Sequence, residues 1–111
     1  KTFKKSNRYR KIPKYGTDAS ESLIIIMKNK LEALNFRKEL LKYKYSTKIL
    51  PEATSWHFAG DWNHIKKLGV TNNKYPKSKE ILSKSVSIPI FYKMDRKFPE
   101  IIFNVLKKLN K

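Results

Sequence analysis

Most of the side chains that could do chemistry in this 111-residue chain lie in one short segment, residues 51–64. The segment reads Pro-Glu-Ala-Thr-Ser-Trp-His-Phe-Ala-Gly-Asp-Trp-Asn-His and holds both tryptophans and both histidines of the sequence. Either imidazole is chemically suited to general acid or base work, because its ordinary pKa lies near neutrality. A long segment without a clean period but rich in aromatic residues is typical of a functional loop rather than of disorder.

The same segment has two other interpretations, a metal site and a purely structural loop. His57, Asp61 and His64 recur at i, i+4 and i+7, which would place two imidazoles and a carboxylate on one face of a helix, as a metal site requires. Gly60 and the aromatic residues argue against a regular helix, and no established zinc motif has this spacing, so we predict no metal site. In the blander alternative, Trp56 and Phe58 pack inward while the histidines hydrogen-bond to the backbone.

Several classes of function are excluded by what the sequence lacks. There is no cysteine, so disulfide frameworks and thiolate metal sites are impossible. No Gly-x-Ser-x-Gly elbow or Ser/His/Asp ordering supports nucleophilic hydrolysis, and the three glycines form no phosphate-binding loop. The longest apolar run is too short to cross a bilayer, and no signal peptide is recognisable, so a cytoplasmic protein without membrane contact is expected.

The net charge of +17, from 26 Lys and Arg against 9 Asp and Glu, is the strongest bulk feature. Such a field attracts nucleic acids, and aromatic residues interleaved with lysines can stack on bases, as a basic single-stranded nucleic-acid-binding module would do. Only four of the basic residues are arginines, which are preferred for bidentate phosphate and base contacts. Nucleic acid is therefore the alternative partner and not the leading one. The rings concerned are Tyr9, Tyr15, Tyr43, Tyr45, Phe91 and Tyr92.

The elements that must position this segment can be read from periodicity. Residues 1–17 are predicted to be an irregular basic lead-in, broken by proline and glycine. A buried strand is predicted over 22–28, a helix over 30–44 and a second strand over 45–50. The apolar stripe of the helix is predicted to comprise Ala33, Phe36, Leu40 and Tyr43, widened by Leu34 and Leu41.

Beyond residue 75 the pattern is regular again. A short helix is predicted over 76–85, with Ile81 and Leu82 inward, followed by a strand over 87–91 that Pro89 confines to an edge or an end. A last helix is predicted to begin between Asp95 and Pro99, with Asp95 as N-cap. The whole predicts an α+β fold: a small three-stranded sheet with helices packed on it, over residues 18–111. The apolar stripe of the last helix is Ile101, Ile102, Val105, Leu106 and Leu109.

Over residues 18–109 the sequence resembles the C-terminal small domain of DegT-type, pyridoxal-phosphate-dependent sugar aminotransferases. The family's small domain has a strand, a helix with an Arg-x-x-Leu pattern, a strand leading into a His- and aromatic-containing loop, and a Pro-containing strand before the last helix. This loop is richer in Trp and His than the commoner form of the family. The segments that carry the resemblance are 18–26, 36–40, 46–59, 75–82 and 86–90.

The resemblance implies a substrate-capping domain that is not catalytic alone. The Schiff-base lysine and the pyridoxal phosphate belong to the family's large domain, which this chain lacks, and the chain's start at Lys1 fits a fragment or a processed chain. By resemblance the intact enzyme is a homodimer that aminates a keto sugar, often nucleotide-linked, from a donor such as glutamate, although some relatives dehydrate instead.

The resemblance also assigns roles to side chains of the 54–64 loop, which faces the active-site cleft in the family. It implies stacking by Trp56 and Trp62 and hydrogen bonding by His57 and His64. Asp61, together with its neighbour Asn63, is expected to meet sugar hydroxyls. No residue of this chain is expected to be catalytic itself.

Overall fold

The computed structural model describes residues 14–17, 21–48, 52, 54–69 and 75–109. Within these residues the chain forms two β-strands, five α-helices and one 3₁₀ turn. The predicted α+β class is confirmed in this coarse form: a small sheet with several helices. Most of the predicted lead-in lies outside the described residues; its end, 14–17, is exposed and irregular.

The sheet consists of β1 (Ser22–Ile26) and β2 (Ser85–Pro89), which pair antiparallel. β1 forms because its three consecutive isoleucines are β-branched and fit a pleated, buried surface. Ile25 lies opposite Val86, and both are fully buried. The pair therefore joins two segments that are far apart in sequence and turns one sheet face toward the core.

β2 begins two residues earlier than the sequence predicts and ends at Pro89. Two of its first three residues are serines, which carry no apolar signal, yet Ser85 and Ser87 are both buried. The Ser85 hydroxyl donates a hydrogen bond to the carbonyl of Ile81 at 2.6 Å, which satisfies it away from water. Pro89 stands at the end of the strand, as predicted, where no ladder donor is required.

The third predicted strand, over 45–50, is not confirmed by the described residues. Residues 45–48 have no regular strand structure, and 49 and 50 lie outside the described part of the chain. The Lys48 N–H nevertheless donates to the carbonyl of Ser87 at 2.9 Å, so this segment runs beside β2. Tyr45 packs on the core, with its ring edge-on to that of Phe98 at 5.2 Å between centroids.

α1 (Lys30–Lys42) begins at Asn29, whose side-chain oxygen accepts a hydrogen bond from the Glu32 N–H at 2.9 Å. The Glu32 carboxylate in turn accepts from the N–H of Lys28, one residue before the N-cap, at 3.3 Å, so side chains satisfy two backbone donors at the start of the helix. Its buried stripe is the predicted Ala33, Phe36 and Leu40. The prediction that Tyr43 is the fourth member of this stripe is wrong, because the helix ends before Tyr43 and the residue is 51% exposed.

α5 (Phe98–Leu109) packs against α1 and presents its predicted apolar stripe to the core. It begins at Phe98, within the predicted range of Asp95 to Pro99. The predicted N-cap, Asp95, instead lies three residues before the helix start, where its carboxylate accepts from the Lys97 N–H and its carbonyl accepts from the Phe98 N–H. Asp95 thus closes a turn that precedes the helix. The core cluster is formed by Ile25, Met27, Ala33, Phe36, Leu40, Val86, Ile88, Phe98, Ile102 and Val105.

The remaining helices lie between α1 and β2 in sequence. They are α2 (Thr54–His57), α3 (Asn63–Lys66) and α4 (Pro76–Ser83), and α2 contacts α4. α4 has no fully buried residue; Ile81, predicted to face inward, is half exposed, whereas Leu82 is partly buried. Across the described helices, none combines the length and the apolar character needed to cross a membrane.

Candidate functional site

The segment with most of the chemistry, called the aromatic loop here and defined as residues 54–64, is a chain of short helical turns. α2 is followed by a 3₁₀ turn (Ala59–Asp61) and then by α3, with Phe58 and Trp62 in extended conformations between them. The continuous helix that would align His57, Asp61 and His64 is therefore absent. Within the described part of the chain, no group of three His, Cys, Asp or Glu side chains could hold a metal ion.

Phe58 anchors the aromatic loop. It is buried, whereas the rings on either side of it in sequence are exposed. Gly60 is also buried and lies against the Phe58 ring, so that a Cβ at this position would fall 2.7 Å from Phe58 Cζ. Glycine is needed here because of this close approach, which holds the 3₁₀ turn on the ring.

Trp62 is held in one orientation by its own hydrogen bond. The indole Nε1–H donates to the carbonyl of Ser55 at 2.9 Å, which ties the second half of the aromatic loop to α2. The side of the indole remains accessible, since Trp62 is 39% exposed. The ring of His64 lies 5.6 Å from it, tilted by 31°. Trp62, fixed by its hydrogen bond, and the exposed ring of His64 therefore form an outward-facing pair of rings.

Trp56 and His57 lie at the end of α2 and are both exposed, Trp56 by 69%. The inward packing considered for Trp56 and Phe58 is therefore correct for Phe58 alone. Among the described residues, no ring contact or hydrogen bond joins Trp56 or His57 to the Trp62–His64 pair. The structure brings together two of the predicted site residues and leaves two others free at the surface.

Asp61 is engaged by a residue that the sequence did not single out. Its Oδ1 lies 3.1 Å from Nζ of Lys79 on α4, and the side chain of Asp61 is only 14% exposed. The same ammonium lies 5.8 Å from the centre of the Phe58 ring. No sequence pattern links residues 61 and 79, because they lie on separate elements joined by a connection without periodicity. Asp61 is thus largely committed to holding α4 against the loop.

A second ion pair fixes the entrance to the aromatic loop. Arg37 on α1 contacts Glu52 at 2.6 Å between Nη1 and Oε2. Arg37 is part of the Arg-x-x-Leu pattern noted in the sequence, and its partner lies two residues before α2. The loop is therefore tied to the core helix at one end and to α4 in its middle.

Comparison with other proteins adds nothing to this geometry. No family model, no curated protein and no solved structure matches the chain. Function is therefore inferred from the chain's own residues. In the aromatic loop the ring of Phe58 is a buried anchor, whereas the rings of the tryptophans and histidines are exposed to solvent.

Proposed function

We propose that this chain is the substrate-capping domain of a pyridoxal-phosphate-dependent sugar aminotransferase of the DegT type. The observation that supports the proposal best is the exposed Trp62–His64 ring pair, held by the Nε1–H bond to Ser55. An exposed large aromatic residue that is also fixed in orientation is suited to a ligand, because little conformational freedom is lost when the ligand stacks on it.

The proposed contacts follow from the chemistry of the exposed groups. The indole faces of Trp62 and Trp56 would pack on the apolar C–H faces of a sugar ring, and the imidazoles of His64 and His57 would bond its hydroxyls. Among the described residues the indole N–H of Trp56 has no acceptor and is open to a ligand, whereas that of Trp62 donates to the carbonyl of Ser55. In this proposal Trp62 thus contributes only the face of its indole ring, whereas Trp56 contributes both a ring face and a hydrogen-bond donor.

The proposed reaction moves the amino group of glutamate to the keto carbon of the sugar, giving an amino sugar and 2-oxoglutarate. Pyridoxal phosphate supplies the electron sink for this transfer. A Schiff-base lysine needs a desolvated, uncharged amine. The lysine side chains whose burial the structure describes are all exposed or partly exposed, and Lys84, one of the more covered, is paired with Glu80, so they do not fit that role. The cofactor would be held by a large domain, in a cytoplasmic homodimer acting on a keto sugar or a nucleotide-linked keto sugar.

The test uses the polypeptide encoded by the whole reading frame, with glutamate as donor and a panel of free and nucleotide-linked keto sugars. We expect a visible absorption band from bound pyridoxal phosphate and sugar-dependent release of 2-oxoglutarate. Trp56→Ala and His57→Ala should lower turnover with little change in melting temperature, and the exposed α1 variant Lys38→Gln should behave as wild type. A polypeptide that binds no cofactor and releases no 2-oxoglutarate would refute the proposal.

A basic single-stranded nucleic-acid-binding module is the second candidate, favoured by the net charge of +17 and by exposed tyrosines such as Tyr43 and Tyr92. The logarithm of its association constant for a single-stranded oligonucleotide should fall linearly with the logarithm of the salt concentration. The slope of that line reports how many phosphates the protein neutralises. The absence of binding at low salt removes this candidate, independently of the aminotransferase assay.

A further inference from the structure

Lys79 is the cation that the fold places on the aromatic loop. Its Nζ lies 3.1 Å from Asp61 Oδ1 and 5.8 Å from the centre of the Phe58 ring. The two partners differ in accessibility, since the Lys79 side chain is 39% exposed and that of Asp61 only 14%. The carboxylate is therefore mostly covered, while the ammonium still faces solvent.

We infer that Lys79 binds an anionic oxygen group of the ligand, a carboxylate or a phosphate, beside the Trp62 ring. An ammonium has three donors, and the described contacts of Lys79 use one of them, toward Asp61. Asp61 directly precedes Trp62 in the chain, so the Asp61–Lys79 ion pair lies at the turn that leads into the exposed ring pair. The inference deepens the proposed function, because it defines the chemistry of the ligand of that same site.

The charge around the loop points to an anion. Between residues 52 and 69 the sequence contains two acidic residues, Glu52 and Asp61, and each is paired with a cation. Two lysines of the same stretch add positive charge. A neutral sugar gains nothing from this field, whereas an oxyanion gains a charge-assisted hydrogen bond.

This assignment reverses the roles expected from the sequence. Asp61 was expected to meet sugar hydroxyls, but its Oδ1 is engaged and its side chain is largely covered. Asp61 is therefore engaged inside the protein, where it competes with the ligand for the ammonium, and Lys79 is the residue that touches the ligand. The two members of one ion pair are thus predicted to have opposite effects on anion binding.

The experiment measures binding in the full-length polypeptide labelled with 5-fluorotryptophan. The fluorine signals of Trp56 and Trp62 are identified by their loss in Trp56→Phe and Trp62→Phe. Glucose, glucuronate and inorganic phosphate are titrated at constant ionic strength, so that general screening does not differ between them. Glucuronate tests a carboxylate and phosphate tests a phosphoryl group, with glucose as the neutral reference.

We expect at least one of the two anions to shift the Trp62 signal saturably, with an affinity about tenfold above that of glucose, as one charge-assisted hydrogen bond provides. Lys79→Gln should abolish this preference and Lys79→Arg should retain it. Asp61→Asn should retain or raise anion affinity, because it frees the ammonium from its internal competitor.

The inference is overturned if neither anion shifts the signal, if Lys79→Gln titrates as wild type, or if Asp61→Asn weakens anion binding as much as Lys79→Gln does. The last result would mean that the ion pair only holds α4 against the loop. Anion binding that depends on Lys79 in a polypeptide without cofactor or aminotransferase activity would sustain the inference and refute the enzyme, so the two failures are distinguishable.

Discussion

Gly60 lies so close to the ring of Phe58 that any larger residue at position 60 would collide with it. The contact joins the buried anchor of the aromatic loop to the turn that carries Asp61 and leads into Trp62. Because both residues are buried, neither can yield by moving into solvent. The geometry of the exposed rings thus depends on a residue without a side chain, glycine, at position 60.

Gly60→Ala should therefore destabilise the domain by about 1–3 kcal/mol through overpacking. The free energy of unfolding by urea measures this cost. Gly69→Ala is the matched control: its φ of +76° is strained for alanine, but no atom lies within 4 Å of the added Cβ. In a Phe58→Leu background, Gly60→Ala should cost less; an equal cost in both backgrounds would show that the ring is not the obstacle.

The two tryptophans should differ in mobility, since Trp62 is bonded to Ser55 and Trp56 is not held in this way. In Trp56→Phe, the remaining fluorescence of Trp62 should show higher anisotropy and a lower acrylamide-quenching constant than that of Trp56 in Trp62→Phe. The difference in exposure, 39% against 69%, acts in the same direction. Equal anisotropies would contradict a fixed Trp62.

Glu39 joins α1 to α5, because it accepts hydrogen bonds from Lys108 at 2.8 Å and from Lys42 in its own helix. The bond to Lys108, followed by that to Lys42, holds the pKa of Glu39 below its ordinary value. A depressed carboxyl pKa stabilises the fold above the unfolded-state pKa, and this stability is lost as the pH falls through the folded-state value.

Glu39→Gln should consequently lower the melting temperature at neutral pH and have no effect once the carboxylate is protonated in the acidic range. The Lys108 side chain is 66% exposed, so the difference should be small and should shrink with added salt. Glu80→Gln is the control, because Lys84 lowers the pKa of Glu80 in the same way but joins no second helix. If wild type and Glu39→Gln have the same melting temperature at neutral pH and low salt, Glu39 does not stabilise the packing of α1 on α5.

Adjacent positions on α5 should differ sharply in their contribution to stability. Ile102 is fully buried in the core, whereas the neighbouring Phe103 is 42% exposed. Ile102→Ala should cost about 2–5 kcal/mol, a large part of the stability of a small domain, and Phe103→Ala should cost much less. Thermal and urea melts of the two variants decide this; similar losses would show that Phe103 also packs in the folded protein.

The long helices and β1 could be predicted because their signal is periodic and local. Phe36 and Ile102 are buried where the stripes of α1 and α5 place them. Ile81 and Tyr43 were misplaced, since the direction of a side chain at a helix end depends on where the helix stops and what packs there. The start of β2 was missed because Ser85 is buried through size and a bond to Ile81, not through hydrophobicity.

The aromatic loop shows the same division. Composition predicted that this segment is a functional loop, and the inward packing of Phe58 was one of the alternatives. The contribution of Lys79 was not predictable, because its pairing with Asp61 depends on how α4 packs against the loop. The hydrogen bond that fixes Trp62 goes to a backbone carbonyl, that of Ser55, which every residue type provides.

The pairing of β1 with β2 also sets the order in which the chain can assemble on the ribosome. Ser22 can pair with Pro89 only after Pro89 has been synthesised. The three isoleucines of β1 therefore remain unpaired while the intervening segments are synthesised. The nascent chain is accordingly most exposed to aggregation and to chaperone binding in that interval. Slowing translation between positions 26 and 85 should lower the yield of folded protein more than slowing it after position 89.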